Sequence, residues 1–274
     1  MSRRTYRYTK VKRRTEKGEK LERRQQYVFV VRELTAREIK RRYSRSCLGI
    51  LWSVLNPLLM MGVLSMIFSQ LFRRSIDNFP IYYLTGYILW QMFTGSTNAA
   101  MTTLADNSAL LIKVKLPLEV FVLARVYTAL VNLGYSAAAY AVMLLVFRVR
   151  PNGAMLFSPV IILLLLLFSL GISFILAAAY VFFGDVKQLY SVLLTVWMYC
   201  SGIFYPVDRM EGIIRTAIEL NPVYCYIDAL RGVVMYGVMP SAQAVFYMAV
   251  WAFLMCGTGY YIFRGNKNRI MQRI

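Results

Sequence analysis

A strongly basic segment stands directly before a long apolar run, and this order constrains the fold more than any other feature. Residues 1–46 hold 17 lysines and arginines against 5 acidic residues, a net charge of +12, whereas the rest of the chain carries +7. The apolar run starts near Leu48 and reaches Phe72. Because lysine and arginine flank membrane spans on the cytoplasmic side, the order predicts a first span entered from the cytoplasm.

Further apolar runs follow, and 58% of the 274 residues are hydrophobic, against about 45–50% in soluble domains. About 20 apolar residues cross the hydrocarbon core of a bilayer. The sequence therefore predicts an all-α polytopic membrane protein, with six transmembrane helices in one membrane domain over residues 48–274. The six predicted spans are about Gly49–Phe72, Ile81–Leu104, Leu118–Phe147, Leu156–Phe183, Leu189–Phe204 and Val245–Phe263.

Basic residues near both termini predict the topology. Six lie between Arg32 and Arg45, and four follow the last span, namely Arg264, Lys267, Arg269 and Arg273. Six spans return the C-terminus to the N-terminal side, so we expect both termini in the cytoplasm and a multi-pass protein of the plasma (inner) membrane. The first apolar run starts too late for a secretory signal peptide, so we expect the first span to be retained.

Two segments precede the first span. Residues 1–26 are polar and charged, which predicts a basic cytoplasmic tail. Residues 27–47 predict an amphipathic interface helix lying on anionic lipid. Its apolar face comprises Ala36, Ile39, Tyr43 and Cys47, and its basic face comprises Arg37, Lys40, Arg41, Arg42 and Arg45. A nucleic-acid-binding arm and an ordinary solvated helix are the alternatives, but the position beside a span favours lipid.

Two connections and one polar face add detail. The loop 106–117 has capping residues at its start and a proline at its end, which predicts a short helix on the cytoplasmic surface. The outer connection 205–241 contains two short helical segments, Ile213–Leu220 and Val223–Met235, which predict a re-entrant helical hairpin. Polar residues in the second half of the second span predict a face toward other helices or a cavity. These residues are Gln91, Thr94, Ser96, Thr97, Asn98, Thr102 and Thr103.

Several kinds of chemistry have no support in the sequence. There is no P-loop motif, so we expect no ATP hydrolysis by this chain. There is no histidine, and the four cysteines are widely spaced, so we expect no metal site. Arg125 is the clearest ionisable residue within a predicted span, and it lies near enough to the inner end to reach water by snorkelling. Transport powered by a partner fits these absences better than catalysis.

Four stretches match the pattern of a known family in order and spacing. In chain order they contain Arg37, Lys40, Arg41 and Tyr43; Leu48-Gly49, Trp52 and Asn56-Pro57; Asn107, Leu111, Ile112, Lys113 and Pro117; and Asn221, Pro222 and Arg231. Together they resemble the permease subunit of type-2 ABC exporters, in the branch that handles O-antigen, teichoic acid and related cell-surface polysaccharides. The likeness covers most of the chain after about residue 27, and the basic tail is not part of the pattern.

The resemblance implies a role for each stretch: interface helix, start of the first span, helix that couples to an ATPase, and external re-entrant hairpin. It implies a homodimer with two copies of a separate ABC nucleotide-binding subunit. That subunit would hold ATP and Mg²⁺, so no cofactor is expected on this chain. The implied cargo is a polysaccharide on a polyprenyl-diphosphate lipid, and no nucleic acid is expected as a partner.

Aromatic residues near the predicted outer surface are candidates for a glycan channel, because aromatic rings stack on sugar faces. They are Tyr82, Tyr83, Tyr87, Trp90, Trp197, Tyr199 and Tyr205. Tryptophan and tyrosine also gather at membrane interfaces without any part in transport, which is the alternative for this set.

Three other functions compete with polysaccharide export. A drug or lipid exporter permease of the same superfamily would share the general layout, although the entry helix and the Leu48–Pro57 stretch favour the glycan branch. A membrane acyl- or glycosyltransferase would need polar catalytic groups clustered at an interface, and the sequence contains no such set. A membrane scaffold would need no ATPase partner.

Overall fold

The computed structural model describes residues 27–40, 49, 51–71, 78–113 and 116–273. The predicted tail 1–26, and Arg41, Tyr43 and Leu48, lie outside the described residues. Within the described ranges the chain is helical and contains no strand, which confirms the all-α prediction.

Twelve α-helices follow one another along the described chain, with three short irregular helical turns between them. The α-helices are α1 (27–40), α2 (Leu51–Leu71), α3 (Phe79–Met101), α4 (Thr103–Asp106), α5 (Ser108–Lys113), α6 (Leu118–Val146), α7 (Ser158–Phe182), α8 (Val186–Tyr199), α9 (Gly212–Glu219), α10 (Pro222–Arg231), α11 (Ala242–Gly265) and α12 (Lys267–Arg273). The irregular turns are two 3₁₀ helices, Gly153–Phe157 and Val207–Arg209, and one π-helical turn, Gly232–Tyr236.

Helix α3 is the centre of the bundle, and most of its side chains are buried. It packs against α2, α6, α7 and α10. Its start is set by local chemistry: the Asn78 side chain accepts a hydrogen bond from the Ile81 amide at 3.5 Å, and Pro80 occupies the first turn, where its missing N–H is not needed. The most polar of the predicted spans is thus shielded by its neighbours.

Helices α7 and α11 make the closest helix crossing. A Cβ atom added at Gly171 would collide with the backbone of Met255, and one added at Gly259 would collide with the Gly171 carbonyl. Glycines therefore let the two backbones touch, as small residues do where helices associate inside membranes. This crossing ties the last long helix to the middle of the chain.

Three stretches of the described chain are long and apolar enough to cross a membrane: Leu118–Val146, Gly153–Phe182 and Ala242–Gly265. Helix α2 contains a shorter apolar stretch, Val54–Ile67, and continues through Pro57. The predicted fifth span ends early. Helix α8 has 14 residues, about 21 Å at 1.5 Å per residue, because the chain turns at Gly202, where φ is +59°.

The bundle contains two apolar clusters. The larger runs through the centre of the bundle and extends to α10 and its π-helical continuation. The smaller joins α5 and α12 with the start of α6 and the last turns of α7 and α11. Because α1, α5 and α12 bring many lysines and arginines to the second location, we call it the basic end and the other the opposite end.

Candidate functional site

The predicted short helix in the loop 106–117 is confirmed as α5, a single six-residue helix at the basic end. The Asn107 side chain donates to the Thr103 carbonyl at 2.8 Å, and the main-chain carbonyl of Asn107 accepts from the amides of Leu110 and Leu111 at 3.0 Å. Leu111 is buried, whereas Ile112 is 74% exposed. The helix therefore packs one apolar side chain, Leu111, against the bundle and leaves the next one, Ile112, exposed.

Lys113 is exposed at the end of α5, and Pro117 precedes the first residue of α6 in an extended conformation. Of the predicted interface-helix residues, Arg37 and Lys40 are described, and both are exposed on α1. Positive charges of α1 and α5 are therefore exposed at the same end of the bundle as Ile112.

Arg125 of α6 joins three elements at the basic end, and its predicted snorkelling to water is wrong. Its Nη1 lies 2.5 Å from Glu38 Oε1 of α1, and its Nη2 lies 3.6 Å from Asp106 Oδ2 of α4. Its Nε donates to Thr103 Oγ1 at 3.2 Å. The side chain is only 8% exposed, because two carboxylates supply the negative charge that water would otherwise screen.

The face of α1 that meets the bundle differs from the apolar face predicted for it. Thr35 is buried and donates to the Ala124 carbonyl at 3.3 Å, one residue before Arg125. Glu38 follows one turn later, whereas Ala36 of the predicted apolar face is exposed. Polar bonds, in addition to apolar packing, therefore hold α1 against α6.

At the opposite end, Asn221 connects α8, the following turn and α10. Its Oδ1 accepts from the Val223 amide at 3.0 Å and from Trp197 Nε1 at 2.8 Å. Its Nδ2 donates to the Cys200 carbonyl at 2.9 Å and to Ser201 Oγ at 3.1 Å. Pro222 then fills the first position of α10. Asparagine caps helices well, and here its amide uses every donor and acceptor it has.

Arg231, at the C-terminal end of α10, is buried with 2% exposure. Its nitrogens donate to three main-chain carbonyls: Tyr82 at 3.2 Å, Gly202 at 2.8 Å and Ile203 at 3.1 Å. The guanidinium carbon lies 3.4 Å from the centre of the Tyr82 ring, a cation–π arrangement. A Cβ at Gly86 would lie 2.9 Å from Nη2, so the glycine makes room for the arginine.

A polar cavity of about 680 Å³ lies between α2, α3 and α6. Gln91, Thr94 and Asn98 line it from one face of α3, as the polar pattern of that helix predicts. The facing walls come from Trp52 and Asn56 of α2 and from Asn132 and Ser136 of α6. Of the described lining residues, only Glu38 at the basic end is charged, and it pairs with Arg125.

The seven aromatic candidates lie elsewhere. Tyr82, Tyr83 and Trp90 are buried in the larger cluster, and Tyr87 stacks on Tyr83 with ring centres 5.1 Å apart. Trp197 is held by Asn221, and the Tyr205 hydroxyl donates to the carbonyl of the exposed Tyr199. None of the seven lines the described part of the polar cavity. Their role in a glycan channel stays a prediction.

Sequence reasoning missed Glu38, Asp106 and Thr103 as partners of Arg125, and Gly86 as the space for Arg231. Each partner is separated from its arginine by tens of residues. The available signal was an unpaired arginine inside an apolar run, which requires a nearby anion or carbonyl.

Comparison with known proteins assigns the chain to a class. A family model described as ABC-2 type transporter matches residues 30–235. The chain therefore belongs to the ABC-2 type transporter family, and the resemblance to type-2 ABC exporters is confirmed. The match begins in α1 and ends in the π-helical turn after α10, so it contains both buried arginines and the polar cavity.

Individual relatives narrow the comparison. The chain is 29% identical to the O-antigen export system permease protein RfbA of Myxococcus xanthus, over 91% of this chain and 96% of that protein. It is 22% identical to the polysialic acid transport protein KpsM of Escherichia coli, over 88% and 95%. It is 25% identical to the capsule polysaccharide export inner-membrane protein CtrC of Neisseria meningitidis serogroup B, over 66% and 69%.

Proposed function

We propose that this chain is the transmembrane permease subunit of an ATP-driven exporter that moves polyprenyl-diphosphate-linked polysaccharide across the plasma membrane. Family membership supplies the transporter class, and the names of three relatives supply the cargo class, since they export O-antigen, polysialic acid and capsule polysaccharide. Drug or lipid export is the second candidate of the same family, and none of these relatives favours it.

The observation in the structure that carries the proposal is the cavity between α2, α3 and α6. Amide and hydroxyl side chains line it together with apolar ones, and Glu38 is the single charged residue of its described lining. Amide and hydroxyl groups facing hydrocarbon are unfavourable, so such a lining requires water, a polar cargo or another protein surface. Amides and hydroxyls exchange hydrogen bonds with sugar hydroxyls as they do with water. Trp52, which is 47% exposed, adds a ring on which a sugar face can stack.

The cavity is half open, and α2 exposes many large apolar residues along the same side, including Leu59, Met60 and Val63. We propose that a second copy of the chain closes the wall, giving a homodimer with a shared path for the glycan. In this arrangement the polar stripes of both copies face the path and the apolar residues of α2 face each other or lipid.

Two copies of a separate ABC nucleotide-binding subunit would supply ATP hydrolysis and hold ATP and Mg²⁺. We propose α5 as their docking point, because its Ile112 is an exposed apolar residue at the basic end and is followed by the exposed Lys113. Movement of α5 would reach the bundle through α4, whose Asp106 pairs with Arg125. ATP binding would then favour one state of the permease by binding it more tightly.

For topology, we propose six membrane crossings, with both termini and the basic end in the cytoplasm. The excess of lysine and arginine at that end supports this orientation. Helices α9 and α10 would then form an external re-entrant hairpin. Helix α9 has 8 residues and α10 has 10, and each is too short to cross a bilayer. Arg231 would close this hairpin against α3 from within.

The direct test is depletion of the protein in its own cells, followed by extraction of lipid-linked glycans and measurement of surface polysaccharide. Accumulation of polyprenyl-linked glycan inside the cell, with loss at the surface, is the expected result. Unchanged surface polysaccharide, without accumulation of polyprenyl-linked glycan in the cell, would contradict polysaccharide export and favour drug or lipid export.

A second experiment addresses the path. When depleted cells express the Asn98→Leu variant, we expect about one fifth or less of the surface glycan that wild type restores. The substitution removes hydrogen-bonding groups from the cavity. Gln243→Leu is the matched control, since Gln243 is an exposed polar residue of α11 outside the cavity. Equal export by the two variants at equal protein level would exclude the cavity as the path.

A further inference from the structure

A large apolar groove at the basic end belongs neither to the polar cavity nor to the Arg125 network. It encloses about 950 Å³ between α1, α6, α7 and α11. Leu123 and Tyr127 of α6 line one wall, and Leu166 and Leu170 of α7 line another. Val28 of α1 covers part of the groove. The lining is mainly apolar, which fits the hydrocarbon chains of a lipid better than the hydroxyl groups of a sugar.

The rim of the groove is basic. Arg32 of α1, Arg264 of α11 and Lys267 of α12 stand on it, with Glu119 as the acidic residue among them. Glu119 Oε1 lies 3.8 Å from Lys267 Nζ, which compensates that one lysine. Arg264 is directed to Tyr260, whose hydroxyl lies 3.4 Å from its Nη1. No carboxylate of the described chain forms an ion pair with Arg32 or Arg264, so two positive charges remain uncompensated.

Glu119 carries a second signal. Its Oε2 atom is buried and lacks a hydrogen-bond partner within the described chain. A buried carboxylate oxygen without a donor is unfavourable, so a bound group that donates a hydroxyl there would satisfy it. The rim thus presents two guanidinium groups without a carboxylate partner in the described chain, which can attract an anion, and one acceptor for a hydroxyl.

We propose that this groove binds one anionic glycerophospholipid from the surrounding leaflet. Its acyl chains lie along the aliphatic walls, its phosphate meets Arg32 and Arg264, and a headgroup hydroxyl donates to Glu119. Basic pockets between membrane helices at the cytoplasmic side bind such headgroups. A phosphatidylethanolamine would place its ammonium beside two arginines, so a headgroup of the phosphatidylglycerol type fits the rim better.

The position of the groove gives the lipid a consequence. One wall of the groove belongs to α1 and the others to α6, α7 and α11. A lipid bound there would therefore connect α1 to the bundle, in addition to the ion pair between Glu38 of α1 and Arg125 of α6. An anionic leaflet would therefore help to keep α1 in the position where Glu38 reaches Arg125.

The test is native mass spectrometry of the purified full-length protein, titrated with phosphatidylglycerol or with phosphatidylcholine of the same acyl chains. Wild type should retain phosphatidylglycerol preferentially. The double variant R32Q/R264Q should lose roughly tenfold or more of that retention, because each arginine attracts the phosphate. The control double variant K187Q/R269Q removes two exposed charges outside the groove and should stay within about twofold of wild type.

A second variant addresses the apolar walls. Leu123→Trp fills part of the groove without a charge change, and it should lower retention of phosphatidylglycerol while the melting temperature stays close to that of wild type. Equal retention of the two lipids by wild type, or full retention of phosphatidylglycerol by R32Q/R264Q, would overturn the proposal. So would extraction of a polyprenyl-linked glycan, in place of phospholipid, as the species lost from the double variant.

Discussion

Two arginines are buried in the described part of the chain, one at each end of the bundle, and they are held by opposite means. Arg231 donates to three main-chain carbonyls and lies over the Tyr82 ring. Arg125 pairs with the carboxylates of Glu38 and Asp106. Main-chain carbonyls can leave an arginine only if the backbone itself moves, whereas a carboxylate leaves by rotation of its side chain.

The elements around each arginine follow the same division. Arg231 connects α10 to α3 and to the turn at Gly202, all of which are well packed in the larger cluster. Arg125 connects α6 to α1 and to the four-residue α4, whose Asp106 is 38% exposed. The comparison indicates a fixed opposite end and a basic end whose contacts can exchange, which is where a partner would have to act.

The largest effect is expected from Arg231→Met. Three carbonyls would lose a donor, and a buried polar group left without any partner costs about 1–3 kcal/mol. We expect little folded protein, measured as monodisperse material in size-exclusion chromatography and as a fall in melting temperature. Arg215→Met is the matched control on the neighbouring α9, because Arg215 forms an exposed ion pair with Glu219 and exposed ion pairs contribute little to stability. Equal melting temperatures would contradict the fixed end.

The next effect tests the space beside that arginine. Gly86→Ala places a methyl group 2.9 Å from Arg231 Nη2 and should destabilise by about 1–3 kcal/mol. Gly95→Ala, on the same helix with open space around it, should instead stabilise by about 0.5–1 kcal/mol. Thermal unfolding of the two variants should therefore shift in opposite directions. A rise in the melting temperature of both variants would show that helix propensity alone governs both positions.

At the basic end, Glu38→Gln should separate folding from transport. Arg125 keeps Asp106 and Thr103, so the melting temperature should fall much less than in Arg231→Met. We expect ATP hydrolysis by the partner to continue while export of glycan falls about tenfold, because α1 no longer follows α6 through a charged bond. Export and hydrolysis that fall in proportion would show that this ion pair is only structural.

The smallest effect on stability is expected from Ile112→Asp. Its side chain is 74% exposed, so stability should change by at most about 0.5 kcal/mol. Co-purification of the nucleotide-binding subunit should nevertheless fall. Ile213→Asp is the control, because Ile213 is also an exposed isoleucine, at 85%, but lies on α9 and not on α5. If both variants retain the subunit equally, α5 is not its docking point.

The sequence predicted what depends on local pattern. The boundaries of α6, α7 and α11 lie within a few residues of the predicted spans, and the polar face of α3 lines a cavity as expected. Helices α5, α9 and α10 were also visible, since capping residues and prolines punctuate them. Six membrane crossings and the external hairpin stay predictions.

What escaped prediction depends on contacts between distant segments. The end of α8 was placed too late because the turn at Gly202 is stabilised by Arg231, 29 residues further on. Tyr83 and Trp90 are residue types that gather at membrane interfaces, but neighbouring helices pack against both side chains and bury them. In the sequence, Glu38 is one of several charged residues on a helix, and its ion pair with Arg125 depends on the packing of α6 against α1.

The glycine contact between α7 and α11 has a consequence for synthesis of the chain. Gly171 and Gly259 meet backbone to backbone, yet 88 residues separate them in sequence. At about 5–20 residues per second, the ribosome needs roughly 4 to 18 seconds to make that interval. During this time the glycine face of α7 lacks its partner, so the insertion machinery or lipid must occupy it until the last long helix arrives.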